Sequence, residues 1–92
     1  MKQKSYEELK EMLRPLSSDE AVKALTEYLS QFPESDDALT LRGMKYWGMQ
    51  NRAAAINDYL AAIRINPESR AKQALKATNE ILDYYNKDLY NP

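Results

Sequence analysis

Residues 33–69, PESDDALTLRGMKYWGMQNRAAAINDYLAAIRINPES, decide the fold, because this stretch begins and ends with the same tripeptide. Pro-Glu-Ser occupies positions 33–35 and 67–69, which is an offset of 34 residues (67 minus 33). Other positions agree at the same offset, as Ala21 does with Ala55. A period of this length is typical of stacked helical hairpins, in which each pair of helices buries a face on the next.

Local signals divide the chain into helices. Capping boxes, in which a serine and a glutamate satisfy free backbone N–H groups at a helix start, are predicted at Ser5-x-x-Glu8 and Ser17-x-x-Glu20. Prolines at 15, 33 and 67 end helices, because proline has no N–H and disfavours helical geometry before it. Ser35 caps a third helix. We predict five helices, over about residues 5–14, 17–32, 35–50, 52–65 and 68–86.

Composition excludes several classes of function. Ninety-two residues make a single domain, 1–92. With 13 basic and 14 acidic residues, the chain lacks the excess of positive charge that nucleic-acid binding requires. The chain has no cysteine to form a thiolate and no histidine, the usual general base near neutral pH. Its two glycines are too few for a glycine-rich phosphate-binding loop. We therefore expect no enzyme, no catalytic residue, no metal and no cofactor.

The compartment is inferred from what the sequence lacks. No apolar run approaches the length of a membrane span, and the first residues lack the apolar stretch of a signal peptide. We therefore expect a cytoplasmic protein without a membrane partner. Export of a longer precursor whose leader was removed stays open.

Residues 36–69 resemble one complete tetratricopeptide repeat. The family's small, aromatic and proline positions are matched here by Gly43, Tyr46, Ala55, Tyr59, Ala62 and Pro67, with Leu39 as the large apolar residue near the start. Residues 2–35 resemble a divergent repeat, in which Leu9 replaces the glycine and Tyr28 an alanine. Residues 70–92 resemble the capping helix and tail of such arrays. The resemblance implies an all-α fold of antiparallel hairpins stacked as a short right-handed solenoid, with five helices including a C-terminal capping helix.

The turn inside the well-matched repeat departs from the family pattern. Gln50 and Asn51 stand where the family often has Gly-Asp, so the turn is expected to be tighter or shifted by one residue. We predict that Asn51 is the turn residue, because asparagine tolerates the left-handed conformation better than most residues.

The family binds extended peptides or helices in a groove lined by the first helix of each unit. By position, the resemblance implies a partner-binding groove made of Tyr6, Lys10, Leu13, Asp37, Thr40, Met44, Trp47 and Thr78, with Ala74 and Tyr85 beside it. Some relatives hold a peptide carboxylate with basic and amide side chains. The matching positions here are Tyr6, Lys10, Leu41, Ala71 and Leu75, of which only Lys10 is suitable, so we argue against that mode.

The aromatic residues have two interpretations. Trp47 is either an exposed anchor for a partner or a side chain covered by the last helix or tail, and the covered state is favoured because an exposed tryptophan without a partner is a liability. The tail tyrosines, Tyr84, Tyr85 and Tyr90, either stack on a ligand or pack onto the fourth helix, and packing is favoured.

Two functions follow from these observations. The first is an adaptor that binds an unidentified protein or peptide in the groove. The alternative is a structural module that self-associates as a homo-oligomer without a dedicated ligand, because such arrays usually need about three units and this chain has two and a cap.

Overall fold

The computed structural model describes residues 2–79, and this part of the chain is all-α without a strand. The helices are α1, Tyr6–Leu13; α2, Ser18–Gln31; α3, Asp36–Gly48; and α4, Arg52–Ile65. A fifth helix, α5, covers residues 71–79 up to the end of the described range. The all-helical prediction is confirmed. The predicted contacts of Tyr84, Tyr85 and Tyr90 lie outside the described residues.

The predicted capping boxes at Ser5 and Ser17 are both formed. The Ser5 hydroxyl accepts from the Glu8 backbone N–H at 3.2 Å, and the Glu8 carboxylate accepts from the Ser5 N–H at 2.8 Å. Ser17 and Glu20 make the same two bonds at 3.2 and 3.0 Å. The bond from the serine backbone N–H, and after it the nearby serine hydroxyl, lower the pKa of the Glu8 and Glu20 carboxyls, because both stabilise the ionised form.

The bounds of α2 and α4, and the turns that follow them, repeat at the same 34-residue offset as the sequence. α2 and α4 begin and end at positions related by it, 18 with 52 and 31 with 65. Each is followed by the same turn: the Ser35 N–H donates to the Phe32 carbonyl at 3.1 Å, and the Ser69 N–H donates to the Asn66 carbonyl at 2.9 Å. Both serines are buried. Two successive segments of the chain therefore follow the same local path.

The start of α5 differs from the prediction. Residues 67–70 form the turn, and the helix begins at residue 71 rather than near Glu68. The Ser69 hydroxyl accepts from the Ala71 N–H at 3.2 Å, and the Ser69 carbonyl accepts from the Lys72 N–H at 3.0 Å. These bonds satisfy N–H groups at the helix start, so the helix begins after Ser69.

α3 and α4 form an antiparallel hairpin. Asp36, at the start of α3, lies 3.4 Å from the Asn66 side-chain amide at the end of α4. In the middle, a Cβ on Gly43 would lie 2.6 Å from Cε1 of Tyr59 and 3.2 Å from the Ala55 carbonyl oxygen. Glycine is therefore what allows the Tyr59 ring and the α4 backbone to approach α3 so closely.

α3 is the central helix of the described fold. One core cluster joins α1, α2 and α3 and contains Leu9, Leu13, Ala21, Leu25, Ala38 and Leu41. A second joins α3, α4 and α5 and contains Leu39, Ala55, Tyr59, Ala62 and Ala71. Because neighbours cover α3 on more than one side, its buried residues do not follow a single face.

α1 and α2 contact each other less extensively than either of them contacts α3. The extensive close approaches among α1–α4 involve α3, which packs against α1, α2 and α4. Leu9, 34 residues before Gly43, is fully buried and fills the space that a glycine would leave. The Tyr28 hydroxyl also accepts from the Lys4 backbone N–H at 2.6 Å, which places the end of α2 beside the start of α1.

The left-handed residue in the α3–α4 turn is Gln50, with φ of 65°, and not Asn51 as predicted. Asn51 is instead the N-cap of α4, where its side chain accepts from the Ala54 N–H at 3.3 Å. Asparagine is among the best N-cap residues, so Asn51 caps α4 and the left-handed position falls to Gln50.

Replacing Gln50 with glycine should stabilise the protein. A side chain in the left-handed region costs roughly 1–2 kcal/mol, part of which glycine returns through its greater freedom in the unfolded chain, so we expect a gain of about 0.5–1 kcal/mol. Urea unfolding followed by circular dichroism measures it. Gln50→Ala is the control, because alanine keeps the Cβ; equal stability of the glycine and alanine variants would contradict the explanation.

Candidate functional site

A pocket of about 360 Å³ opens between α1 and α3. Its lining consists of Tyr6, Lys10, Leu13, Arg14, Leu16, Leu41, Met44 and Lys45. On each helix these residues are spaced three or four apart or are direct neighbours, which places them along one side of it. Five of the side chains are apolar or aromatic and three are cationic, so the pocket has an apolar interior with basic groups beside it.

Tyr6 is the contact point between three parts of the fold. Its hydroxyl donates to the Met44 sulfur on α3 at 3.9 Å. The Arg70 guanidinium, just before α5, lies 4.0 Å from the centre of its ring, and the Lys10 ammonium lies 5.5 Å from it. Cations at these distances are attracted to an aromatic face. The half-buried Tyr6 ring therefore links α1 to α3 and to the segment before α5.

Asp37 supports this arrangement from α3. Its carboxylate lies 3.6 Å from the Arg70 guanidinium that stacks on Tyr6. Partial burial raises the pKa of the Asp37 carboxyl, and the neighbouring Asp36 raises it further, while Arg70 acts in the opposite direction. Asp37 thus contacts Arg70 and is not part of the pocket lining, contrary to its predicted place in the groove.

The structure brings together four of the predicted groove residues, Tyr6, Lys10, Leu13 and Met44. Thr40 and Thr78 were predicted beside them, but they are 0% and 3% exposed and present no surface to a partner. The Thr40 hydroxyl donates to the Asp36 carbonyl at 2.7 Å and lies 3.3 Å from the Ser69 hydroxyl. Burial of α3 on more than one side removes Thr40 from the groove.

Trp47 also lies outside the pocket. It is half-buried and packs against the second core cluster. The Arg52 guanidinium lies 5.1 Å from the centre of its ring. Arg52 and the core cluster, which includes Ala71 of α5, therefore each cover part of Trp47, which agrees better with the favoured covered state than with an exposed anchor.

Four pocket residues were not predicted: Arg14, Leu16, Leu41 and Lys45. For three of them a signal existed. Arg14 is the C-cap of α1, four residues after Lys10, while Leu41 and Lys45 flank Met44 at helical spacing on α3. Leu16 lies between α1 and α2, where no helical period applies, so the sequence carried no signal for it.

A charged network ties α2, α3 and α4 together away from the pocket. The Arg42 guanidinium donates to both carboxylate oxygens of Asp58, at 2.7 and 2.8 Å, and to the Thr26 hydroxyl at 3.1 Å. The Arg42 and Asp58 side chains are only 20% and 8% exposed. The hydrogen bonds to Asp58 raise the pKa of Arg42, so the guanidinium is held in its charged form. Sequence reasoning did not predict this pair.

Tyr59 is buried between α3 and α4, against Gly43. Burial raises the pKa of its phenol, and the nearby Asp58 and Tyr6 raise it further. A phenol with a raised pKa stays neutral at physiological pH. Because its side chain is buried against Gly43 and its phenol is neutral, Tyr59 is a packing residue between α3 and α4.

Other features bear on the class of site. Across residues 2–79, no group of three acidic side chains comes together as a metal site would require. No helix in this range has the length and apolar character to cross a membrane. Comparison of the chain with protein-family models, with curated proteins and with solved structures gives no match.

Proposed function

We propose that this chain is a protein-interaction module whose α1–α3 pocket binds an apolar side chain of a partner peptide or helix. The observation that carries the proposal is an open, mostly apolar pocket of about 360 Å³ between two helices. Binding sites are typically concave and apolar with a few polar groups, and this volume lies at the small end of their range. It suits one large side chain of a helix or extended peptide that lies along the groove.

The repeat supports the class of module that we propose, a short right-handed solenoid of tetratricopeptide type with two units and a terminal helix. Its support is the 34-residue offset, the repeated turn at Ser35 and Ser69, and the close approach at Gly43. In such an architecture α1 and α3 are the first helices of successive units. The pocket then lies on the face where stacked hairpins present their concave surface.

Selection from a phage-displayed random peptide library tests the proposal. We expect clones that bind the wild-type protein and bind Met44→Glu at least about tenfold more weakly, because a carboxylate in an apolar pocket loses its hydration. Leu60→Glu is the matched control: Leu60 is 43% exposed, against 38% for Met44, and lies on α4 outside the pocket. Its binding should equal that of the wild type.

Two outcomes would contradict the proposal. One is a selection that enriches no clone. The other is a set of clones that bind Met44→Glu and Leu60→Glu equally well. Circular dichroism of both variants verifies that any loss of binding is not a loss of fold.

A further inference from the structure

The pocket lining is richer in basic side chains than the composition of the whole chain would suggest. The chain has 13 basic and 14 acidic residues, a net charge of −1. The pocket lining nevertheless contains Lys10, Arg14 and Lys45 and no acidic side chain. Cationic side chains around an apolar cavity favour a ligand that is both apolar and acidic.

The three cations are available to a ligand. Lys10 pairs with Glu7 at 3.8 Å and Arg14 with Glu11 at 3.0 Å, and in each pair both side chains are more than half exposed. Such exposed pairs on one helix are weak, so a ligand carboxylate can replace the glutamate. Lys45 forms no ion pair with any carboxylate of residues 2–79.

We propose, on the basis of the function proposed above, that the partner segment is an acidic peptide with one large apolar residue between acidic neighbours. The apolar side chain enters the cavity against Tyr6 and Met44. Its acidic neighbours pair with Lys10, Arg14 and Lys45. Methionine is flexible and polarisable, so the cavity accommodates leucine, isoleucine, methionine or phenylalanine. The charges then supply orientation and selectivity, while the apolar residue supplies most of the affinity.

The test uses a fluorescein-labelled peptide with one leucine flanked on each side by two glutamates, measured by fluorescence anisotropy at low salt. Three matched peptides replace the glutamates with glutamine, the glutamates with lysine, or the leucine with serine. We expect the glutamate peptide to bind about tenfold more tightly than the glutamine peptide, as three weak ion pairs would give. The lysine and serine peptides should bind more weakly still, and added salt should weaken the glutamate peptide most.

Charge reversal on the protein locates the effect. Lys45→Glu should weaken binding of the glutamate peptide about tenfold and improve binding of the lysine peptide, because it changes the sign of one group beside the cavity. Lys23→Glu changes the net charge by the same amount at an exposed position on α2 that does not line the pocket. We expect it to change binding by less than about twofold.

The outcomes separate this inference from the function on which it rests. Equal binding of the glutamate and glutamine peptides, or equal effects of Lys45→Glu and Lys23→Glu, would overturn the acidic specificity. The acidic specificity would also be overturned if the glutamate peptide did not bind while library clones that need Met44 did. In that case the proposed interaction function would still hold. Concentration-dependent sedimentation that Met44→Glu abolishes would overturn the inference by identifying a second copy as the occupant; we expect a monomer.

Discussion

Asp58→Ala should lower the free energy of unfolding by about 3 kcal/mol, because it leaves the Arg42 charge partly buried without its partner. The loss includes two short hydrogen bonds at 2.7 and 2.8 Å. Arg42 also holds Thr26 on α2, so the change loosens the contact between α2 and α3 as well as that between α3 and α4. Urea unfolding followed by circular dichroism measures the difference.

Asn57→Ala is the matched control, since Asn57 precedes Asp58 on α4 and is exposed. A change at such a position is expected to stay within about 0.5 kcal/mol. Replacing both members of the pair, as Arg42→Met with Asp58→Leu, should restore most of the stability, because two apolar side chains leave no charge unpaired. If Asp58→Ala unfolds at the same urea concentration as Asn57→Ala, the ion pair does not stabilise this fold.

The helices could be predicted because their signals are local. The serine and glutamate of each capping box are three residues apart, and the prolines act on their immediate neighbours. α4 was predicted at 52–65, and the structure has Arg52–Ile65. The α5 start was misplaced because the two serines bond differently after the same turn. The Ser35 hydroxyl accepts from the N–H three residues later and caps α3, whereas the Ser69 hydroxyl accepts from the N–H two residues later, at the first residue of α5.

Contacts between helices could be predicted only in part. The burial of Thr40 depends on which sides of α3 are covered, and its own neighbours in sequence do not reveal this. Arg42 and Asp58 look like solvated charges on two helices until the hairpin brings them within 2.7 Å. For the pocket, the resemblance implied a groove that included Tyr6 and Met44, and both line the pocket, whereas Thr40, 34 residues after Tyr6, is buried.

Gly43→Ala should destabilise the protein by about 2 kcal/mol, although alanine is the better helix former. The new Cβ would lie 2.6 Å from the Tyr59 ring, and the ring cannot turn away freely because only 3% of Tyr59 is exposed. The α4 backbone is also close to the new methyl group, since the Ala55 carbonyl oxygen would lie 3.2 Å from the added Cβ. α4 must therefore move away from α3, which disturbs the second core cluster.

Gly48→Ala gives this prediction a matched control in the same helix. A Cβ on Gly48 would meet no atom within 4 Å, so the substitution leaves packing unchanged and should stabilise by about 0.5 kcal/mol through helix propensity near the end of α3. The two substitutions are chemically identical, and their effects should have opposite signs. Chemical denaturation of both variants measures the contrast. Equal stabilisation by the two alanines would mean that Tyr59 does not pack over Gly43, and the close α3–α4 hairpin would then need another cause.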